Sequence, residues 1–396
     1  MRLIHLALES FRSYRSAELH PDSGLTIVAG PNGAGKTNLL EAVQVAITGR
    51  SPRASADVEL VHHGAGFARI RLGLVDARGA EIRIEVLIPG VDAPREVRKR
   101  VTVNGLPRRV GGLGETVRSV LFRPEEMLLL VGSPSERRRF LDAIVAQRDR
   151  AAARDLLELA RVLAQRNALL RAIRHEEAGE EELAFWDEQL TLIGGRVMAQ
   201  RLAVVGQLGE LIGPLHDAVA PAAERGERVR MAYADSLKDA WPDRANGVAA
   251  ALEDPDRLAS GLADAYRQRL AGVRQKELWN GVSLVGPQRD DLVVELDGRE
   301  VASHASRGQQ RTIILAMKLA ETDLLTADGP APVVLLDDVF SELDPQRSER
   351  ALELLLARGQ VLVTMADLSS LPYRRRRSVP IWQVSEGTLQ LAPRVA

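Results

Sequence analysis

Gly30-Pro31-Asn32-Gly33-Ala34-Gly35-Lys36-Thr37 is the stretch that decides the fold. It satisfies G-x-x-x-x-G-K-[ST], and each fixed position has a physical task. Gly30, Gly33 and Gly35 let the backbone curl so that its N–H groups point at phosphate oxygens. Lys36 supplies a point charge to β- and γ-phosphates, and the Thr37 hydroxyl suits Mg²⁺. In a chain of this composition the pattern arises by chance roughly three times in a thousand, so the flanks must agree with it. The apolar run Leu25–Ala29 enters the loop as a short strand. Lys36–Thr48 leaves it as a helix, with Leu39, Leu40, Val43 and Ile47 near helical spacing. The helix N-terminus adds partial positive charge. Gly30, Pro31, Asn32, Gly33, Ala34, Gly35, Lys36 and Thr37 form the candidate ATP-binding loop.

Three fragments near the carboxyl end complement this loop. Val333-Val-Leu-Leu-Asp337-Asp338 reads as a buried strand ending in two acids. Such an end sits at the sheet edge where a phosphate loop also lies. Asp337 is then a Mg²⁺ carboxylate, acting through water, and Asp338 polarises the attacking water. With Lys36 they make the expected catalytic set. Ser306-Arg-Gly308-Gln309-Gln310 precedes the strand by a helix and a loop, and Ser341-Glu-Leu-Asp344 follows at once. Each alone reads as a turn or a helix cap, and Ser306 suits an N-cap. Their order beside a phosphate loop is harder to explain that way.

The rest of the 396 residues shows how these fragments are carried. The first 134 residues read mainly as strands and turns. Paired strands are expected at 2–9 and 13–20, alternating strands at Phe67–Asp76 and Ala80–Ile88, and a hairpin at Asn104-Gly105, where both residues tolerate positive φ. From Glu136 the chain turns helical, with Leu156, Leu159, Leu163 and Leu170 as a core stripe. Residues 213–256 are expected to be irregular, and 257–275 helical. Strands are expected at Val282–Val285, Leu292–Leu296, Val333–Leu336 and Gln360–Thr364, with a closing hairpin at Val379–Val384 and Thr388–Leu391. The fold class is α/β: an ATP-binding head in two parts, 1–134 and 276–396, interrupted by a helical arm, 135–275.

Composition narrows the classes further. Without cysteine there is no disulfide and no thiolate zinc site. The seven His show no ligand spacing such as HExxH. No apolar run reaches a membrane span of roughly 18 residues, and Met1 opens directly into a strand pattern, so a cytoplasmic protein is expected. A net charge of -1 excludes a uniformly basic surface, so any DNA contact must use local patches. Arg95, Arg98, Lys99, Arg100, Arg108 and Arg109 form one such patch around the Asn104-Gly105 hairpin. Phosphate contacts need only such a cationic face, although charge also protects an edge hairpin from aggregation. Arg374–Arg377 is a second basic run, best read as a solvated turn, and Arg137–Arg139 reads as a structural link.

The order of phosphate loop, signature, acidic strand and D-loop resembles that of the ABC-type ATPases. A large insertion before the signature resembles their SMC-like branch, and within it the RecF family of recombination mediators. The likeness runs along nearly the whole chain. It includes Phe11-Arg12-Ser-Tyr14, Asn38-Leu-Leu-Glu41-Ala, Pro124-Glu-Glu, Gly132–Asp142, Gln165–Leu170, Trp186–Leu190, Gly286–Leu292, Gly308–Thr312 and Leu335–Asp344. Gln288, Arg307 and Thr364 depart from the family pattern, Thr364 lying where a switch His stands in other ABC-type ATPases.

The resemblance implies an ABC-type head with a mixed sheet, an antiparallel β subdomain and an inserted arm. It implies ATP and Mg²⁺ as cofactors, with Arg12 among the ATP-binding residues, and an ATP-dependent homodimer. Ser306, Gly308 and Gln309 would complete the partner's site, and Asp344 would serve the D-loop. Hydrolysis would be weak, DNA-stimulated, and a switch for dimerisation. Expected partners are double-stranded DNA, single-strand/double-strand junctions, single-stranded DNA, and the RecO and RecR proteins, in RecA loading, replication restart and SOS induction. A transporter's ATPase subunit is the alternative, but it leaves the helical insertion unexplained. A P-loop kinase leaves Ser306–Gln310 and Ser341–Asp344 unexplained. A structural SMC-like protein without hydrolysis also fits the Asp at 338.

Overall fold

The computed structural model describes all residues except 95–96, 109–112, 115, 242–245, 369–378 and 393–396. Arg95, Arg109 and Arg374–Arg377 of the basic patches fall outside the described residues.

The chain opens with β1 (Arg2–Phe11), β2 (Tyr14–Leu19) and β3 (Leu25–Ala29), then α1 (Lys36–Thr48). There follow β4 (Phe67–Val75), β5 (Glu81–Pro89), β6 (Arg100–Val103), β7 (Leu106–Pro107) and β8 (Ser119–Phe122). The helical stretch contains α2 (Leu128–Val131), α3 (Pro134–Arg148), α4 (Arg150–Arg174) and α5 (Leu183–Val219). Next come β9 (Val229–Ala234), α6 (Gly247–Glu253), α7 (Pro255–Asn280), β10 (Asp291–Leu296), β11 (Arg299–Glu300) and α8 (Val301–His304). The chain closes with α9 (Arg307–Ala327), β12 (Val333–Asp337), α10 (Pro345–Leu356), β13 (Val361–Met365), β14 (Ile381–Ser385) and β15 (Thr388–Leu391).

Two compact units result. Unit 1 comprises residues 1–126, 215–225 and 315–396; unit 2 comprises 127–214 and 226–314. Unit 1 holds two sheets, ordered β2-β1-β4-β5-β6-β7 and β15-β14-β3-β13-β12-β8. In the second, β14, β3, β13, β12 and β8 are parallel and β15 is antiparallel. Helix α1 lies between the sheets, against β1, β4 and β5 on one side and β8, β12 and β13 on the other. That position explains why Leu39, Leu40, Ala42, Val43, Val45, Ala46 and Ile47 are all buried, since a helix covered on two sides needs more than one apolar stripe. Gln360 ties the sheets together: its amide donates to the Leu3 carbonyl at 2.8 Å and accepts from the Leu3 N–H at 2.7 Å.

Unit 2 packs α4, α5 and α7 around Leu159, Leu190, Val197, Leu262, Tyr266 and Leu270; Leu156 and Leu163 of the α4 stripe pack on this core, while Leu170 clusters with Leu183 and Leu278. A three-stranded sheet, β11-β10-β9, completes it. The helical stretch expected from Glu136 is divided between α3 and α4. Asp149 is extended at φ -138° and caps α4, its side chain accepting from the Ala151 N–H at 2.7 Å.

Two expectations fail. Residues 213–256 are not irregular throughout: α5 continues through Pro214 to Val219, and β9 and α6 follow. Proline removes one helical donor, while Ile212, Leu215 and Val219 still bury an apolar face. Strand β9 shows alternation at Val229, Met231 and Tyr233, but its partner β10 is some sixty positions away in sequence. Val282–Val285 is not a strand. Its polar groups are taken by side chains instead: Ser283 N–H donates to Asn167 Oδ1 and Leu284 N–H to Glu277 Oε1, at 2.8 and 2.7 Å. The hairpin expectation holds: Asn104 and Gly105 adopt φ 51° and 79° between β6 and β7.

Candidate functional site

The phosphate loop runs from the carboxyl end of β3 into α1. Glycine is required where the loop is crowded. A Cβ on Gly30 would lie 2.3 Å from the Val384 carbonyl oxygen of neighbouring β14. Gly35 has φ 112°, and a Cβ there would lie 2.6 Å from Ser13 Oγ. Gly33 is also left-handed at φ 82°. The Phe11–Tyr14 turn braces the loop from beneath. Tyr14 Oη donates to the Gly35 carbonyl at 2.9 Å, and Asn38 donates to Ser13 Oγ at 3.0 Å.

Lys36 Nζ bonds the carbonyls of Gly30 and Pro31 at 2.8 and 3.0 Å. Burial lowers its pKa, partly offset by the nearby Asp338 and Asp337 carboxylates. Thr37 Oγ1 donates to Asp337 Oδ1 at 3.0 Å, although the residues are 300 positions apart. Strand β13 lies between β3 and β12 and sets this distance. From β13, Thr364 donates to the same Asp337 Oδ1 at 2.6 Å and is fully buried. The result is an all-oxygen donor pair, Thr37 and Asp337, of the kind Mg²⁺ prefers. Thr364 thus gives the Asp337 carboxylate a second hydroxyl donor.

Asp338 leaves the strand with left-handed geometry, φ 51° and ψ 27°, tolerated by Asp better than by bulkier residues. Its N–H donates to the Thr364 carbonyl at 3.0 Å, and its Oδ1 accepts from the Ala366 N–H at 3.4 Å. The backbone turn thereby gives Asp338 a different direction from Asp337.

Arg12 lies beside the loop, but its hydrogen bonds are local. Its Nε and Nη2 reach both oxygens of Glu41 at 3.0 and 2.9 Å, and Nη1 reaches the Glu59 carbonyl at 2.8 Å. Glu41 is buried in α1 and also accepts from Arg53 and Ser51. Burial alone would raise its pKa; the hydrogen bonds from Arg12, Arg53 and Ser51 outweigh that and hold it lowered. Glu41, Arg53, Ser13 and Thr364 were not assigned roles from the sequence. A buried acid in a nucleotide-binding helix was the available signal.

The signature residues belong to unit 2 up to Ile314. Ser306 caps α9 reciprocally: its Oγ accepts from the Gln309 N–H at 3.2 Å, and its N–H donates to Gln309 Oε1 at 2.9 Å. Gln309 also donates to Glu227 at 2.7 Å. Gly308 follows at the first turn of α9. In unit 1, Asp344 caps α10, accepting from the Arg347 N–H at 3.0 Å.

In the basic hairpin, Arg98, Arg100 and Arg108 are exposed. Lys99 is not free: Nζ bonds the Gly49 carbonyl at 2.6 Å and Asp57 at 2.7 Å. Arg137 forms a two-pronged bond to Asp291, at 2.7 and 2.8 Å, and Arg138 reaches the Asp290 carbonyl, a structural link inside unit 2. Among the described residues, no helix is long and apolar enough to cross a membrane.

Comparison with known proteins agrees with this geometry. Residues 2–373 match the family model of the RecF/RecN/SMC N-terminal domain. The DNA replication and repair protein RecF of Chloroflexus aurantiacus is 38% identical over 405 residues, covering 98% of this chain and 99% of its own. RecF of Streptomyces avermitilis is 38% identical, covering 98% and 100%. A solved structure of the recombination mediator protein RecF-ATPrS in the RecFOR pathway superposes with a TM-score of 0.85 at 27% identity, over 99% of this chain and 98% of its own. An Smc head bound to the C-winged helix domain of ScpA shares the fold alone, with a TM-score of 0.52 at 16% identity. The chain thus belongs to the RecF family and has the ABC-type ATPase head fold of the SMC-like proteins.

Proposed function

We propose that this protein is an ATP-dependent DNA-binding switch of recombinational repair and replication restart, acting with RecO and RecR. The observation that carries the ATP reading is the convergence of Lys36, Thr37, Asp337 and Thr364 at the carboxyl ends of β3, β12 and β13. Residues 1–134 and 276–396 act as the ATPase head and 135–275 as its helical arm. The loop amides, Lys36 and the N-terminus of α1 bind the triphosphate. Thr37 and Asp337 would hold Mg²⁺. When bound, Mg²⁺ neutralises charge on the β- and γ-phosphates. Asp338, aimed apart from Asp337, orients the attacking water.

Ser306, Gly308 and Gln309 complete the site of a second copy. The capped N-terminus of α9 suits a γ-phosphate. ATP therefore closes an isologous homodimer, and its slow, DNA-stimulated hydrolysis opens it. The closed dimer clamps double-stranded DNA or a single-strand/double-strand junction, with Arg98, Arg100 and Arg108 as backbone contacts, and supports RecA loading and SOS induction in the cytoplasm.

The test uses an Asp338→Asn variant with ATP·Mg²⁺ or ADP·Mg²⁺. Light scattering should report dimers with ATP alone, and labelled junction DNA should bind tightly only in that state. A variant that binds ATP yet stays monomeric and indifferent to DNA would overturn the clamp.

A further inference from the structure

His5, Glu18 and His20 meet on the outer face of the β1–β2 hairpin, in unit 1. The β-bulge between Leu3 and His5 sets the parity: Leu6 and Leu8 turn inward, while His5, Ala7 and Glu9 turn outward. Ala7 pairs with Glu18 and Leu6 with Leu19, so continuing the register sets His20 opposite His5. Both imidazole Nε2 atoms point at one oxygen, Glu18 Oε1, at 2.8 and 3.3 Å. The rings are 5.0 Å apart and tilted by 32°. Two small residues leave room around them. Ala7 faces Glu18, and Gly73 of β4 faces His5, where an added Cβ would lie 3.1 Å from the His5 Cβ. The adjoining hollow is about 500 Å³ and includes Glu9, Arg15, Arg69 and Arg71 in its lining. Arg69 bonds Glu9, and Arg71 bonds Glu9 and Glu85, so both guanidinium charges have acidic partners.

We propose that His5, Glu18 and His20 form a divalent transition-metal site, suited to Zn²⁺, that fastens the open end of the β1–β2 hairpin. The donor set is two imidazole nitrogens and one carboxylate oxygen, with a fourth position open to water. The ligand atoms already lie within 4.8 Å of one another. Each neutral imidazole would present its Nε2 lone pair to the metal and keep its N–H on Nδ1. Two nitrogen ligands select against Mg²⁺, which favours oxygen. The site is separate from the nucleotide loop. The hairpin turn that braces that loop is six residues along β1, about 20 Å away.

The test is calorimetric titration of the full-length protein with Zn²⁺, without ATP and with excess Mg²⁺ to occupy Thr37 and Asp337. The expected result is one equivalent bound, and a melting temperature raised by Zn²⁺. His20→Ala and Glu18→Gln should weaken binding by more than the roughly 10–100-fold typical of losing an outer partner of a metal ligand. His20 is 62% exposed, so its loss should leave the melting temperature in EDTA unchanged. Absence of binding, or equal affinity in a His5→Ala/His20→Ala double variant, would overturn the site and assign any Zn²⁺ to other groups.

Discussion

Thr364→Val isolates one hydroxyl at the centre of the site. The side chain is fully buried, and its Oγ1 donates to Asp337 Oδ1 at 2.6 Å. Valine keeps the shape and removes the donor. The Asp338 N–H, which also approaches Thr364 Oγ1, retains the Thr364 carbonyl at 3.0 Å and is not orphaned. The net loss is one hydrogen bond to a charged group, worth about 1.5–3 kcal/mol. At about 2–4 °C per kcal/mol for a domain of roughly 150–250 residues, the melting temperature should fall by about 3–12 °C. Asp337 also loses the partner that orients it, so the Mg²⁺ requirement for ATP hydrolysis should rise by roughly 10–100-fold. Denaturant melts and Mg²⁺ titrations of the wild type, Thr364→Val and Thr364→Ser read both effects. The serine variant, which keeps the donor, should recover most of the Mg²⁺ response. A valine variant within about 0.5 kcal/mol of wild type, with an unchanged Mg²⁺ requirement, would refute the steering role.

Gly30→Ala should lower nucleotide affinity by about 5- to 150-fold, because its Cβ cannot share space with the Val384 carbonyl and overpacking costs about 1–3 kcal/mol; fluorescent-nucleotide titration reads it. Arg12→Ala should destabilise unit 1 by about 1–3 kcal/mol by taking two hydrogen bonds from buried Glu41, measured by urea unfolding without nucleotide. Arg100→Ala with Arg108→Ala should reduce the salt slope of DNA binding by about 2, whereas Lys99→Ala should chiefly lower stability, since its ammonium is engaged by Gly49 and Asp57. In unit 2, burial raises the Asp290 pKa from 3.8 to about 6, partly offset by hydrogen bonds from Tyr233 and Ser236. Between those values the folded chain keeps a proton that the unfolded chain has released. This contribution is therefore complete below about pH 4 and lost as pH rises through 6, on the order of 2–3 kcal/mol. The pH dependence of unfolding should flatten over that window in Asp290→Asn.

The local elements were legible because their signals are local. The loop Gly30–Thr37 needs its own glycines, α1 needs its own apolar spacing, and Asn104-Gly105 needs only its own φ angles. The order of phosphate loop, signature and acidic strand is also a property of the chain, and it was enough to point to the family. What could not be read was anything requiring two distant segments to meet. Strand β9 exists because β10 pairs with it, and Val282–Val285 fails as a strand because Asn167 and Glu277 satisfy its amides. The all-round burial of α1 reflects two sheets closing on it. Thr364 reaches Asp337 only because β13 pairs with β12 in register, and His5 meets His20 only through the β1–β2 register. Local conformational preference and spacing lie in the sequence itself. Which side chains share a carboxylate or a hollow is decided by strand order and register, which the tertiary fold alone supplies.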